Sequence, residues 1–253
     1  MAKQKLSVFS PELPHPRVMV VSFERSGTHF MMNSMASCFG YISKPWINFD
    51  HYPEYVNFTH APGMKNYLAR YAQQRLAHVV KSHHPTVFFD SFMDFVTENY
   101  TVVYIYRNPL HTLRSFWKMI QRTEWVEGPQ GMNCNDFLRT EPMGYLLRYQ
   151  MHQEKSMVHR WRTHVTGWYE ASLKHPSVVM VKYEDLKDDY EGTIRTIGQR
   201  IGVEPIKITK PPKDQNVVLE TTGINYEEEC TLTEADEAYV REVAGDIMAK
   251  LGY

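Results

Sequence analysis

Three short stretches hold the residue types that anion and group-transfer chemistry needs. The first is Glu24-Arg25-Ser26-Gly27-Thr28-His29-Phe30, which follows an apolar run and leads into the helix-like FMMNSMASCF. A strand, a glycine turn and a helix N-terminus converge free N–H groups on one point, and the helix dipole adds positive charge there. Gly27 permits close backbone approach, Thr28 offers a hydroxyl and Arg25 a full charge. The second stretch is Lys81-Ser82-His83-His84-Pro85. A neutral imidazole beside a cation suits a general base acting on a hydroxyl, a role worth about 10²–10⁴ in rate. His84 competes with His83 for that role. The third is Arg107-Asn108-Pro109, with Ser115 about two helical turns on. An arginine fork and a hydroxyl suit a phosphate monoester.

Other chemistries fit less well. The nucleoside-triphosphatase pattern GxxxxGK(S/T) is missing, and with it an obvious magnesium hydroxyl. His78 near the histidine pair has no Cys, Asp or Glu at ligand spacing, so no metal site is expected.

These stretches need a scaffold, and the sequence supplies one. VMVVSF (18–23), AHVVK (77–81), TVVYIY (101–106) and SVVMVKY (177–183) read as buried strands. Near-continuous apolar runs belong to a parallel sheet covered on both faces. Helical stripes lie between and after them: Val158, Trp161, Val165 and Trp168, then Tyr190, Ile194, Ile197 and Ile201. TEAD at Thr233 reads as a capped start of the last helix. Alternating strand and helix predict an α/β fold, a three-layer parallel sheet flanked by helices with a P-loop-like nucleotide-binding architecture. Ligands in such sheets bind beyond the carboxyl ends of the strands, where the three stretches lie.

The 253 residues, 43% hydrophobic, are read as one domain over 1–253 with no linker. A formal net charge of −1 gives no broad attraction to nucleic acid, so any anion site is local. The first residues lack the apolar core of a signal peptide, and no window approaches the roughly 20 apolar residues of a membrane span. Three widely spaced cysteines, Cys38, Cys134 and Cys230, argue against a disulfide framework and for a reducing compartment. The resulting expectation is a cytoplasmic protein of undefined oligomeric state.

Taken in order, the motifs resemble the P-loop sulfotransferase family, which uses 3′-phosphoadenosine-5′-phosphosulfate (PAPS). ERSGTHFM is similar to the family's 5′-phosphosulfate loop PKSGT(T/S)xW. Lys81-Ser82-His83-His84-Pro85 is similar to its KTHLP segment, and RNPLHTLRSFW to its 3′-phosphate motif RNPxDxxxSxY/W. Tyr183-Glu184-Asp185-Leu186 echoes its YEDL. The resemblance spans roughly residues 18–202. It implies sulfuryl transfer from PAPS to a hydroxyl or amine of a small-molecule or carbohydrate-like acceptor, with the 3′,5′-bisphosphate PAP as product and no metal. Arg25 then stabilises the leaving group, Lys81 neutralises the transferring group and His83 is the base. Ser26, Gly27, Thr28 and His29 cradle the 5′-phosphosulfate, Phe30 and Tyr183 pack on adenine, and Arg107 and Ser115 take the 3′-phosphate. A carboxylate base, as in some relatives, has candidates in Asp50 and Glu54.

Departures from the pattern are Glu24 for proline, which sets a negative charge beside the glycine turn, His29 for a hydroxyl and His111 for the acid of RNPxD. The family's C-terminal RKGxxGDWK is missing, and Lys207, Lys210 and Lys213 are the cations nearest its place. Two further readings stay open: a nucleotide-binding protein without turnover, and a P-loop phosphotransferase.

Overall fold

A computed structural model describes residues 16–51, 61–74, 76–122, 128–212 and 230–253. Five parallel strands form one sheet in the order β2-β3-β1-β4-β5. They are β1 (Val18–Val21), β2 (Ile42–Asn48), β3 (His78–Ser82), β4 (Thr101–Tyr106) and β5 (Val178–Lys182). The helices are α1 (Thr28–Phe39), α2 (Ala61–Ala72), α3 (Met93–Asn99), α4 (Pro109–Arg122), α5 (Cys134–Arg139), α6 (Met157–Lys174), α7 (Tyr183–Asp188), α8 (Tyr190–Ile201) and α9 (Glu234–Lys250).

Strands β1, β4 and β5 are largely apolar on both sides because the sheet carries a core on each face. Met19 and Val21 enter one, with Trp161, Trp168, Phe89 and Phe116. Val18 and Val20 enter the other, with Met31, Met35, Ile194 and Ile197. The alternation is the two-residue period of a strand. The expected three-layer α/β arrangement is thus the observed one.

Four strands coincide with the sequence expectation to within one or two residues. The fifth, β2, has the sequence ISKPWIN, whose Lys44 and Pro45 do not read as strand. It lies at the sheet edge, where proline is tolerated because its missing N–H breaks no interior ladder. Thr233 caps α9 in a full capping box with Asp236, as TEAD predicts.

The cysteine reading requires correction. Cys134, at the start of α5, is disulfide-bonded to Cys230, 96 residues away, and only Cys38 is a free thiol, buried. The far-separated cysteines meet because α5 packs against the start of α9: Asn135 and Arg139 both bond Asp236 in its first turn. The cysteine argument for a reducing compartment falls with this pairing. No helix among the described residues is long and apolar enough to cross a membrane.

Unfolded without reductant, the protein is expected to expose one reactive thiol, and with reductant all three. Closing a loop this long chiefly restricts the unfolded chain, so a Cys134→Ser/Cys230→Ser variant is expected to lose about 2–4 kcal/mol in urea denaturation.

Candidate active site

The chain leaves β1 at the centre of the sheet, returns beside it as β3, and crosses to its other side as β4. Strand order reverses at β1, so the carboxyl ends of β1, β3 and β4 open on one crevice. Val21 pairs with Ser82 and Tyr104, which brings the residues after all three strands to one level.

The loop after β1 is wound by two positive φ angles, 64° at Arg25 and 103° at Gly27. Ser26 lies between them with its side chain buried. Gly27 precedes α1 without any side-chain cap, leaving N–H groups of the first turn directed into the crevice. A Cβ at Gly27 would stand 2.5 Å from Cδ2 of Tyr183, so only glycine fits beneath that ring. Thr28 Oγ1 and Ser22 Oγ share a hydrogen bond of 2.6 Å.

Glu24, expected to set a negative charge beside this loop, is neutralised. Arg160 of α6 donates to both of its oxygens, at 2.9 and 2.6 Å, with the guanidinium 4.6 Å over the Phe23 ring. Burial would raise the Glu24 carboxyl, but the Arg160 charge and hydrogen bonds outweigh it and hold the pKa at about 2. Arg160 carried no motif, and nothing in sequence ties it to a loop 136 residues away.

The second strand end is an ionic cluster. Asp50, in a 3₁₀ turn after β2, is buried, pairs with Lys81 Nζ and accepts the His83 backbone N–H at 2.7 Å. His83 Nδ1 lies 2.8 Å from the Ser22 carbonyl, which can only accept; Nδ1 therefore carries the proton and Nε2 the lone pair. Burial first, then Lys81, lower the His83 pKa, while Asp50, Glu24 and the Ser22 carbonyl oppose the shift. The ring is neutral at pH 7. His84 is fully buried, ringed by Phe49, Phe88 and Tyr149, with Nδ1 3.0 Å from Ser82 Oγ. Its burial lowers its pKa to about 4. His164 of α6 bridges the Tyr104 hydroxyl and the His83 carbonyl, at 2.8 and 3.0 Å, bracing His83 from below. His29 packs edge-on to Trp46 at 5.2 Å, and burial with the Lys81, His83, Arg25 and Lys44 charges lowers its pKa to about 3.

At the third strand end Asn108 caps α4, accepting the Leu110 N–H at 3.0 Å, and Pro109 takes the first helical position. Glu184 holds this cap by accepting the Asn108 N–H at 3.1 Å. Arg107 stacks over Tyr183 at 4.5 Å, its Nη1 reaching the Arg25 carbonyl at 3.5 Å. Ser115 accepts from Arg25 Nε at 3.2 Å. Phe30 stacks on Tyr190 at 5.9 Å and meets Tyr183 edge-on at 6.2 Å. Lys210 Nζ lies 5.9 Å over Phe30 and 5.5 Å over Tyr190.

Arg25 to Phe30, Lys81, His83, Arg107, Ser115 and Tyr183 therefore lie at or just beyond the carboxyl ends of the strands, with Asp50 buried among them and His84 in the core behind. Glu54 and Lys213 lie outside the described residues. Tyr41, Phe49, Phe88 and Phe89 are core. Two residues escaped the sequence reading, Arg160 and Tyr190. The helical stripe in which Tyr190 occurs was the only signal for it.

The sulfotransferase domain, as a family profile, matches residues 15–215. The chain belongs to the sulfotransferase-domain family. This sulfotransferase-domain chain is 29% identical over 103 residues to cytosolic sulfotransferase 14 of Arabidopsis thaliana, covering 40% of the chain but 27% of that relative. Among solved structures, a mouse sulfotransferase complexed with PAP is similar with a TM-score of 0.58 at 15% identity, covering 96% of this chain and 88% of the other. The sulfotransferase domain of the Synechococcus PCC 7002 olefin synthase gives 0.52 at 14%, covering 94% and 98%. At these identities the two structures establish the fold.

Arg160→Met is expected to destabilise the protein by about 3–5 kcal/mol at pH 7, because it strands a buried carboxylate. The folded pKa of Glu24 is depressed, so the pair's contribution is present above about pH 4.5 and lost as pH falls through about 2. The stability gap between variant and wild type should narrow over that window in pH-dependent denaturation.

Proposed function

We propose that the protein transfers a sulfuryl group from PAPS to an acceptor hydroxyl or amine, releasing PAP. The observation that carries this reading is a pair of unfilled donors on two strand ends. Ser26 Oγ and Arg107 Nε are buried without a hydrogen-bond partner among the described residues. Buried polar groups in native proteins are rarely left so, and at these two places, a glycine loop before a helix and an arginine past a strand end, an anion is the partner that fits. One lies in the glycine loop and one after β4, which matches a donor with phosphates at both ends of its ribose.

Roles follow from position. The Ser26–Thr28 loop and the free N–H groups of α1 receive the 5′-phosphosulfate. Arg107 and Ser115 receive the 3′-phosphate. Phe30, Tyr183 and Tyr190 offer ring faces to the adenine. Arg25, already hydrogen-bonded to Ser115, sits between the phosphate sites and can follow charge onto the leaving oxygen. Sulfuryl transfer, like phosphoryl transfer, needs chiefly in-line positioning and charge stabilisation. His83 is the base: its Nε2 lone pair is available and its side chain is 12% exposed, whereas that of His84 is 0% exposed. The acceptor is a small molecule or a carbohydrate-like compound.

PAP at saturating concentration is expected to raise Tm by several degrees over equal ADP or 5′-AMP, with the difference lost in Arg107→Ala. Equal responses to all three nucleotides would count against a two-pocket donor site. His83→Ala should lower turnover by about 10²-fold or more while PAP affinity stays within a few-fold. Because the His83 pKa is lowered, kcat/KM should hold its plateau below pH 6.5 before declining on the acid side.

A further inference from the structure

The Asp50 carboxylate lies within reach of both Lys81 and His83. Oδ2 pairs with Lys81, Oδ1 fixes the His83 backbone at 2.7 Å, and Oδ2 lies 4.0 Å from His83 Nε2. That last distance leaves the lone pair of Nε2 unblocked, and the opposite edge of the ring is anchored on the Ser22 carbonyl. We propose that Asp50 is a positioning residue whose single negative charge is handed from Lys81 to His83 during sulfuryl transfer. The inference rests on the sulfotransferase reading above.

The step balances as follows. The acceptor proton passes to Nε2 of His83 as the acceptor oxygen or nitrogen bonds to sulfur. The bond from sulfur to the 5′-phosphate oxygen breaks, and its electron pair leaves with PAP. The imidazolium so formed lies beside Asp50 and takes over its charge. Lys81 is thereby freed for the negative charge on the transferring sulfuryl group, while Arg25 follows the charge on the leaving oxygen. Before proton transfer the same pairing keeps the Lys81 ammonium on Asp50, away from a donor with no acceptor beside it.

Asp50 is an unsuitable base itself. Burial would raise its pKa, but Lys81, His83 and His84 outweigh that and hold it well below the ordinary carboxylate value. Among the described residues the charged groups that act most on the His83 ring are Lys81 from β3, Asp50 after β2, and Glu24, itself paired with Arg160 of α6. The neighbouring imidazoles are neutral, His29 on α1, His84 after β3 and His164 on α6, and Tyr149 meets the ring edge-on at 6.2 Å.

Asp50→Asn keeps the size and one acceptor oxygen but removes the charge. It is expected to lower plateau kcat by about 10-fold or more, to leave KM for PAPS and PAP affinity within about 3-fold, and to move the acid limb of the pH profile lower. Asp50→Glu should recover part of kcat. In the nucleotide-free protein, NMR titration of His83 Cε1–H should show its pKa falling by about half a pH unit or more in Asp50→Asn. An unchanged or raised His83 pKa, with kcat near wild type, would overturn the proposal. So would loss of all turnover in Asp50→Asn while His83→Ala stays active, which would make Asp50 the base. If Asp50→Asn does not fold, Asp50→Glu must show the kcat loss at unchanged PAP affinity or the proposal fails. A wild type that binds PAP but transfers no sulfuryl group would sink the functional reading. The His83 titration would still decide whether Asp50 governs the imidazole.

Discussion

The bidentate Glu24–Arg160 pair is the interaction on which the crevice depends. An acidic residue beside an anion-binding loop repels its ligand, and burying it unpaired costs several kcal/mol. Arg160 resolves both problems while seated against Phe23, so α6 is tied directly to the loop after β1. The same helix supplies His164, which braces the His83 carbonyl. Loop, His83 and helix are therefore fixed as one unit, and the backbone strain at Arg25 has a rigid neighbour to hold it.

Electrostatics at the second strand end follow the same economy. His29, His83, His84 and His164 crowd together, and all are kept neutral by burial and by nearby cations. Of the four, only His83 combines a fixed tautomer with side-chain exposure. Adjacent histidines thus differ in which ring keeps an open nitrogen, a distinction that residue type cannot carry.

Much of this was legible in the sequence because it is local. Apolar runs ending in Ser-Gly-Thr, Ser-His-His and Arg-Asn-Pro marked three strand ends, and a parallel α/β sheet gathers strand ends by construction. The capping box at Thr233 was readable for the same reason. What escaped depends on distant partners. The Glu24 charge looked adverse until Arg160 was placed beside it, and Cys134 and Cys230 looked unpaired until α5 met the start of α9. Strand β2 hid because an edge position tolerates the lysine and proline that argue against a strand. Asp50 was visible only as a spare carboxylate; its burial against Lys81 and His83 arises from that hidden strand.

Gly27, Tyr183 and Arg107 form a stack: the glycine sits under the ring, and the guanidinium lies over it. One aromatic plane is therefore the shared wall of the glycine loop after β1 and of the arginine after β4. The same side chain sets how much room each of them has, so a smaller residue at position 183 would open both at once.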